Sequence, residues 1–393
     1  MKTVEISAKW APKDSFKLSS KDIEGKLTYL GSQVWQNPEV RVIEKEIPKI
    51  KPNEVLLKVK RCGICGSDVH MAQMDEQGYI LYPGLTAFPV TLGHEFAGEV
   101  VEVGADALNK RTNKKFEVGE PVTVEEMVWC GECSPCCDGY PNHCERLQEI
   151  GFSIDGAFAE YIAVPAKLCW SLKKLEKRYN DVYKLGSLVE PTSVAYNAVI
   201  ERAGGIRPGQ NVVILGAGPI GIAATKILKV AGAAVLIVSE PSENRAKLAK
   251  KMGADYIINP IKEDFIERVK ELTDGEGAKL YLEATGLPTV VIDQIQNTIW
   301  ECKGINSTVV IVARAEEQMP LCGEYFQVKR SSVVGAQGHS GHGTFPNVIN
   351  LMAAGLCEVS HMITKEISLD QVPENIELLQ DDKENCKISA KLP

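Results

Sequence analysis

The residues from Cys65 to His70 bring four kinds of reactive side chain within six positions of the sequence. A thiol, a hydroxyl, a carboxylate and an imidazole occur there in the order Cys65, Ser67, Asp68 and His70. A further imidazole and carboxylate follow at His94 and Glu95. Zinc binds thiolate, imidazole and carboxylate, and a catalytic zinc uses three such ligands and keeps one position open. These residues indicate either a catalytic zinc site or a buried thiol beside an ordinary hydrogen-bonded histidine.

A second group of possible ligands is a run of cysteines with the spacing C-x2-C-x2-C-x7-C, formed by Cys130, Cys133, Cys136 and Cys144. Closely spaced thiolates on tight turns suit tetrahedral zinc, and four of them fill its coordination. The spacing therefore predicts a structural zinc site. A disulfide pair or a redox-active C-x2-C is the alternative.

The turn at residues 216–221 has the G-x-G-x-x-G spacing of a dinucleotide-binding loop, with an apolar strand before it and a helical pattern after it. Gly216 would make the tight turn, Gly218 would let the pyrophosphate approach, and Gly221 would let helix and strand pack closely. Pro219 and Ile220 would begin the helix whose N-terminus receives the phosphates.

The choice between NAD and NADP depends on the end of the next strand. Glu240 lies there, 19 residues after Gly221. Its carboxylate can accept hydrogen bonds from both ribose hydroxyls of NAD and would repel the 2′-phosphate of NADP. Arg245 lies nearby and could serve as an adenine-side cation or simply face solvent. The sequence therefore favours NAD.

Length and charge narrow the class of protein. The chain has 393 residues, whereas one hydrophobic core rarely serves more than about 300 residues, so two domains are expected. A net charge of −8 argues against a nucleic-acid or anionic-membrane partner, which calls for clustered cations. The N-terminal residues resemble no secretory signal, and no apolar run is long enough to span a bilayer. A cytoplasmic location is expected.

The sequence pattern divides the chain into parts. Residues 1–25 are polar and predict a loosely attached N-terminal arm. Residues 26–191 are β-rich, which fits a compact antiparallel barrel or sandwich. Residues 192–336 alternate strand and helix patterns, which predicts the doubly wound parallel sheet of an α/β protein. Residues 337–393 are too few to fold alone and are expected to return to the β-rich domain.

With these signals together, the chain resembles the zinc-dependent medium-chain dehydrogenase family, and within it the branch of sorbitol, butanediol and threonine dehydrogenases. The resemblance runs from Lys26 to the C-terminus and depends on these segments: CGICGSDVH at 62–70, GHE at 93–95, the cysteine run at 130–144, Glu190-Pro191 and GAGPIG at 216–221. It implies a GroES-like catalytic domain, a Rossmann coenzyme domain, an active site in the cleft between them, and two zinc ions per chain.

The resemblance also implies roles for individual residues. Cys65 and His94 would bind the catalytic zinc. Glu190 stands where simple alcohol dehydrogenases have a cysteine, so it would be the third ligand or hold the zinc-bound water; a carboxylate at a helix start is the alternative. Glu95 corresponds to a family glutamate that can exchange onto the metal. Asp68 would orient the His94 imidazole.

In the implied reaction, a substrate hydroxyl ionises at zinc and its hydride passes to NAD. The proton would leave through Ser67, a cofactor ribose hydroxyl and His70. Arg314 follows a strand near the expected nicotinamide position, with no assigned contact.

The substrate is predicted from two polar loops, 71–89 and 337–342, which could line the cleft and bind several hydroxyls. A secondary alcohol of the polyol, cyclitol or sugar-derivative class is expected. L-Threonine or a small diol is the alternative, and a non-catalytic zinc- and NAD-binding protein is a remote one. Family members suggest a homo-oligomer, either a tetramer or a dimer.

Overall fold

The N-terminal residues form part of the folded core. The computed structural model describes residues 1–20, 22, 30–315 and 317–393. Strand β1 (Lys2–Trp10) pairs with β2 (Trp35–Glu44) and with β4 (Val90–Thr91), and Val4 and Ile6 are fully buried. The predicted loose arm over 1–25 is therefore wrong for residues 2–10, because their alternating apolar side chains face the core. Residues 21 and 23–25, and the predicted domain start at 26, lie outside the described residues.

The β-rich part of the chain is organised around a seven-stranded sheet. Six of its strands follow the order β12-β8-β5-β3-β20-β19, and β11 also pairs with β3. The strand bounds are β3 Glu54–Gly63, β5 Glu95–Val103, β8 Pro121–Val124, β11 Tyr161–Pro165, β12 Cys169–Ser171, β19 Ile363–Ile367 and β20 Lys387–Lys391. The last two strands thus join a sheet built mainly from the first half of the chain. The domain boundaries 26–191, 192–336 and 337–393 stay predictions.

Short elements connect these strands. Two small ladders pair β6 with β7 and β9 with β10, with the bounds β6 Leu108–Asn109, β7 Lys114–Lys115, β9 Met127–Val128 and β10 Gln148–Glu149. The helices are α1 Gly66–Ala72, α2 Ser134–Cys137, α3 Val182–Gly186 and α4 Val189–Tyr196, and a π-helical turn, Asn197–Arg202, extends the last of them.

A six-stranded parallel sheet forms the second half. Its order is β15-β14-β13-β16-β17-β18, which is the 3-2-1-4-5-6 order of a doubly wound dinucleotide fold. The bounds are β13 Val212–Leu215, β14 Leu236–Ser239, β15 Tyr256–Ile258, β16 Leu280–Glu283, β17 Thr308–Ile311 and β18 Ser332–Gly335. Strand order reverses between β13 and β16, and ligands of such sheets bind beyond the carboxyl ends of the strands at that point.

Helices cover both faces of this sheet. Along β13, Val212 and Ile214 pack into one apolar cluster, and Val213 and Leu215 pack into another. The remaining helices are α5 Pro219–Val230, α6 Glu243–Met252, α7 Phe265–Leu272, α8 Pro288–Glu301, α9 Gly323–Lys329, α10 Thr344–Ala353 and α11 Val372–Leu378. Sequence analysis did not identify α9 or β18. Strand β18 is a four-residue edge strand whose side chains are exposed or only partly buried, so its apolar pattern is weak.

No helix in the described part of the chain combines the length and apolar character that a membrane span requires.

Candidate active site

The turn between β3 and α1 positions Cys65. The Asp68 side chain is fully buried, and its Oδ2 accepts a hydrogen bond of 2.8 Å from the backbone N–H of Cys65. This contact satisfies an N–H at the helix N-terminus and places the carboxylate in the first turn, where the helix dipole favours it. The Asp68 hydrogen bond therefore holds the backbone at Cys65 and with it the direction of the Cys65 side chain.

His94 and Glu95 reach the same place from the start of β5. Glu95 pairs with Gly63 across the β3–β5 ladder, so it lies beside the turn that carries Cys65. Gly93 precedes them with φ +95°, and a Cβ there would approach Phe158 and the Cys62 sulfur within 2.8 Å. Only glycine fits that turn.

These two chain segments converge on a set of three zinc-type donor atoms. The Cys65 sulfur, a His94 ring nitrogen and a Glu95 carboxylate oxygen all lie within 4.8 Å of one another. Thiolate, imidazole and carboxylate at this separation fit one catalytic zinc with an open fourth position. The donor set therefore suits the metal that the sequence predicts.

Glu190 lies near this set but not within it. Its Oε1 is 3.3 Å from Nε2 of the fully buried His339. Burial raises the pKa of Glu190 to about 7; the His339 and His94 imidazoles oppose this rise and the Glu95 carboxylate assists it. Of the two carboxylates that sequence analysis left open as the third ligand, Glu95 is therefore the one grouped with Cys65 and His94.

Lys387 is a residue of the site that sequence analysis missed. Its Nζ lies 2.6 Å from Glu95 Oε2 and donates a 3.0 Å hydrogen bond to the Ile64 carbonyl, and both charged side chains are almost fully buried. Lys387 is 292 positions from Glu95 and stands among ordinary strand residues, so no local pattern marks it. Glu95 thus has a buried cationic partner, which contacts both of its carboxylate oxygens.

The residues of the predicted proton path surround His94. Asp68 Oδ1 is 3.7 Å from His94 Nδ1, which is longer than a hydrogen bond, and Ser67 Oγ is 3.4 Å from His94 Nε2. His70 is exposed on the wall of the neighbouring cleft. Asp68 thus lies on one side of the imidazole and Ser67 lies on the other.

A cleft of about 840 Å³ joins the predicted zinc site to the predicted dinucleotide site. From the β-rich part of the chain, Cys65 and His70 line it. From the parallel sheet it is lined by Gly216, Gly218, Pro219, Glu240 and Arg245. One cleft is therefore lined both by residues of the predicted zinc site and proton path and by residues of the predicted dinucleotide site.

The glycine loop has the geometry that a bound pyrophosphate requires. Gly216 turns at φ +95°, and a Cβ on Gly221 would lie 1.9 Å from the Gly216 carbonyl oxygen. A Cβ on Gly218 would meet no protein atom within 4 Å, so the space above it is open to a ligand. Pro219 is the first residue of α5 and Ile220 the second, and the helix N-terminus faces that space.

Glu240 closes the other side of this loop. One carboxylate oxygen accepts a 2.8 Å hydrogen bond from Ala217 N–H and the other accepts one of 2.8 Å from Ser242 N–H. A carboxylate has further lone pairs, so it can still accept from ribose hydroxyls. Arg245 donates to the Asn385 carbonyl at 3.2 Å and 2.8 Å and is thereby held against the C-terminal segment.

The four predicted structural cysteines form one cluster. The sulfur atoms of Cys130, Cys133, Cys136 and Cys144 all lie within 4.8 Å of one another. All twelve cysteines belong to the described part of the chain, and none forms a disulfide. A backbone hydrogen bond from Glu132 lowers the pKa of Cys130 to about 6, against the opposing effect of its partial burial. Four converging thiols, one of them readily ionised, fit a tetrahedral zinc.

A second buried polar group, which sequence analysis also missed, lies beside Glu190. Ligand atoms of Glu126, Glu190 and His339 are within 4.8 Å of one another, and all three side chains are buried. Burial lowers the pKa of His339, but the Glu126 and Glu190 carboxylates outweigh this effect and raise the pKa to about 9.

Arg314, for which sequence analysis assigned no contact, lies over the Tyr82 ring, with its NH1 3.4 Å from the Tyr82 hydroxyl.

Comparison with known proteins agrees with this architecture. Residues 51–174 match the model of the alcohol dehydrogenase GroES-like domain, and residues 219–354 match that of the zinc-binding dehydrogenase domain. The chain belongs to the zinc-dependent medium-chain alcohol dehydrogenase family. It is therefore an α/β oxidoreductase with a GroES-like and a Rossmann part, and the family's zinc and nicotinamide dinucleotide are its expected cofactors.

Within this family, three relatives are informative. The chain is 62% identical over 392 residues to scyllo-inosose 3-dehydrogenase of Thermotoga maritima, covering 99% of each chain. It is 34% identical over 339 residues to L-threonine 3-dehydrogenase of Caldanaerobacter subterraneus subsp. tengcongensis, covering 86% of this chain and 91% of that one. The structure of an alcohol dehydrogenase from Escherichia coli CFT073, complexed with NADH, has a TM-score of 0.77 at 26% identity, covering 99% and 100% of the two chains.

Proposed function

We propose that this protein oxidises a secondary hydroxyl of a cyclitol or related polyol with NAD, using zinc. The observation that carries the proposal is the shared cleft, in which Cys65 and His70 face the Gly216–Gly221 loop and Glu240 across one open volume. This arrangement suits a reaction in which a metal-held alcohol gives up hydride to a nicotinamide.

Cys65, His94 and Glu95 would hold the catalytic zinc, and Glu190 lies nearby, with its Oε1 3.3 Å from His339 Nε2. When bound, zinc supplies a Lewis acid that lowers the pKa of an alcohol. The chain's own contribution is positioning: Asp68 fixes the start of α1, and the β3–β5 ladder brings Glu95 beside it. The cysteine cluster at 130–144 is proposed to hold a second, structural zinc.

The proposed proton path uses Ser67 and His70. Ser67 Oγ lies 3.4 Å from the His94 nitrogen and can accept a proton from a substrate hydroxyl placed beside that imidazole. His70, exposed on the cleft wall, can pass a proton to solvent, and a bound cofactor would supply a ribose hydroxyl between Ser67 and His70. NAD supplies the hydride acceptor.

We propose NAD rather than NADP as the cofactor because of the charge at Glu240. A 2′-phosphate would bring a second negative charge against this buried carboxylate, whereas a ribose hydroxyl can donate to it. Arg245 already donates to Asn385, so it is not free to neutralise that phosphate without leaving the C-terminal segment.

The substrate class is supported by the 62% identity to a protein named scyllo-inosose 3-dehydrogenase, compared with 34% to a threonine dehydrogenase. L-Threonine or a small diol of the butanediol type is the second candidate, supported by that more distant relative. A non-catalytic zinc- and NAD-binding protein is the least supported, since the cysteine, histidine and carboxylate donors are all present. A cytoplasmic location and a homo-oligomeric state, tetramer or dimer, stay predictions from sequence.

The test is a rate panel on purified protein, in which NADH absorbance is followed with cyclitols, open-chain polyols, threonine and 2,3-butanediol. We expect the highest kcat/KM with a cyclitol. Oxidation of threonine alone would contradict the proposed substrate class, and no NADH from any alcohol would contradict the reaction itself.

A further inference from the structure

Two buried glutamates near Glu190 and His339 carry carboxylate oxygens that have no hydrogen-bond partner in the described part of the chain. Glu126 directly precedes β9 and Glu149 ends β10, and the two strands pair through Met127 and Glu149. The Glu126 charge raises the pKa of Glu149, so the two carboxyl groups lie within electrostatic reach of each other. Both are more than nine-tenths buried. Oε2 of each has no hydrogen-bond partner among the described residues. An unsatisfied buried acceptor is costly, so these oxygens indicate a ligand that donates hydrogen bonds.

His339 approaches the same place from the loop after β18. Its Nε2, with no exposure to solvent, is 3.3 Å from Glu190 and 3.7 Å from Glu126, and it also lacks a properly aligned hydrogen bond within the described chain. Buried amides hold the loop: Asn142 donates to the Gln337 carbonyl at 3.0 Å and Asn197 donates to the Gly338 carbonyl at 2.9 Å. The imidazole is therefore set in place before any ligand arrives.

This group adjoins the proposed reaction centre. The Phe152 ring contacts His94 in a tilted arrangement with centroids 4.6 Å apart, and the Tyr82 ring stacks on Phe152 at 5.2 Å. Burial raises the pKa of the Tyr82 hydroxyl, and Glu149, Glu126 and Cys65 raise it further while Arg314 lowers it. That hydroxyl therefore lies within electrostatic reach of both the glutamates and the zinc-type thiol.

We propose that Glu126, Glu149 and His339 form a subsite that binds the hydroxyl groups flanking the reacting carbon of the substrate. The proposal deepens the function proposed above and rests on it. Carboxylate oxygens accept from two neighbouring hydroxyls at once, and His339 can donate to a third or to a carbonyl. Burial, with help from the Glu126 charge, raises the pKa of Glu149 to about 8, so that this group can also donate at neutral pH.

Desolvation at the subsite favours uncharged substrates. Glu126, Glu149 and Glu190 lie near one another with His339, His94 and Arg314 beside them, and burial raises the pKa of Glu149 and of Glu190, which lowers their negative charge at neutral pH. A substrate carboxylate or phosphate would lose its hydration in this buried place, whereas a hydroxyl would satisfy the open acceptor oxygens. A neutral polyhydroxy ring fits this subsite better than an amino acid or a sugar phosphate.

The test compares a polyhydroxy ring substrate with a ring that carries a single hydroxyl. Glu126→Met and Glu149→Met keep the side-chain length and remove the acceptor, and Glu126→Gln and Glu149→Gln are the conservative partners. The matched control is Glu145→Met, because Glu145 is exposed in the same part of the chain. For each protein, kcat/KM is measured with scyllo-inosose and with cyclohexanol, and zinc content and Tm are recorded.

We expect each Met variant to lose about tenfold or more of kcat/KM for the cyclitol, mainly through KM, because a buried charge-assisted hydrogen bond is lost. Activity on cyclohexanol should stay within about twofold of the unchanged protein, since that ring has no neighbouring hydroxyls to bind. The kcat/KM values of the Gln variants for the cyclitol should lie between those of the Met variants and of the unchanged protein. Glu145→Met should match the unchanged protein on both substrates.

A second measurement needs no variant. On the unchanged protein, adding one hydroxyl to the ring, from cyclohexanol to trans-1,2-cyclohexanediol, should raise kcat/KM by about tenfold. Equal losses on both substrates, or no gain from the added hydroxyl, would overturn the subsite. If the proposed function itself were wrong, the unchanged protein would form no NADH from any cyclitol, and this result is distinguishable from the two results above.

Discussion

Lys387 Nζ lies 2.6 Å from Glu95 Oε2, and this ion pair is almost completely buried where the last strand of the chain meets the start of β5. The pair ties a C-terminal residue to a proposed zinc ligand. Burial lowers the pKa of Lys387, but the Glu95 carboxylate outweighs it and raises the pKa, so the amine stays charged. The C-terminal strand is therefore part of the active-site support.

Replacing Lys387 by methionine should destabilise the protein. In protein stripped of the accessible zinc, Glu95 would be left as an uncompensated buried carboxylate, which costs about 3–5 kcal/mol when a buried pair is broken from one side. We expect a fall of several degrees in Tm, measured by calorimetry. Lys391→Met is the matched control, because Lys391 lies on the same strand and is exposed.

The double variant Glu95→Gln/Lys387→Met separates the ion pair from packing. With the accessible zinc removed from both variants, removing both charges should restore most of the lost Tm, because no charge is then left unpaired. If the double variant is as unstable as the single one, the loss comes from packing around the lysine stem and not from the ion pair.

The cysteine cluster offers a sharp pair of variants. Cys144→Ser removes a buried member of the cluster, whereas Cys137→Ser changes an exposed thiol seven residues away that lies outside it. We expect elemental analysis to give one zinc fewer per chain for Cys144→Ser, with a lower Tm, because a structural zinc contributes folding free energy. Equal zinc content in the two variants would remove the case for this site.

The grouping of Glu95 with Cys65 and His94 makes a prediction about metal retention. Cys65→Ser should lose the catalytic zinc and all activity. Glu190→Gln should keep two zincs per chain and lose at least about tenfold in kcat, since Glu190 pairs with His339 and acts on what lies in the open position. Loss of one zinc in Glu190→Gln would instead make Glu190 the direct ligand.

Glu240 should set the cofactor preference. Glu240→Gln keeps the side-chain length and removes the charge that repels a 2′-phosphate, so the ratio of kcat/KM for NADP to that for NAD should rise by at least about tenfold. Glu243→Gln, an exposed change in the first turn of α6, is the control and should leave the ratio unchanged. An unchanged ratio in both variants would mean that other groups choose the cofactor.

Much of the site was predictable because its chemistry is local in sequence. The cysteine cluster spans 15 residues, and the glycine loop is defined by six residues between a strand and a helix that the apolar pattern also predicts. The alternation between β13 and β17 was recognisable for the same reason, since buried parallel strands are continuous apolar runs.

The parts that were not predictable depend on contacts between distant residues. Lys387 meets Glu95, and His339 meets Glu126, only because the tail of the chain folds back, and neither Lys387 nor Glu126 has a distinctive local pattern. The strand β1 was mistaken for a loose arm because its polar and charged residues hide the alternation of Val4 and Ile6. Neither error could be corrected without knowing which strands pair.

Zinc per chain and NADH formation from a cyclitol should be measured on the same purified sample. We expect two zincs per chain and NAD reduction that stops when the accessible zinc is removed by a chelator and returns when zinc is restored. One zinc per chain, with no NADH from any cyclitol, would contradict the assignment of Cys65, His94 and Glu95 as a catalytic zinc site.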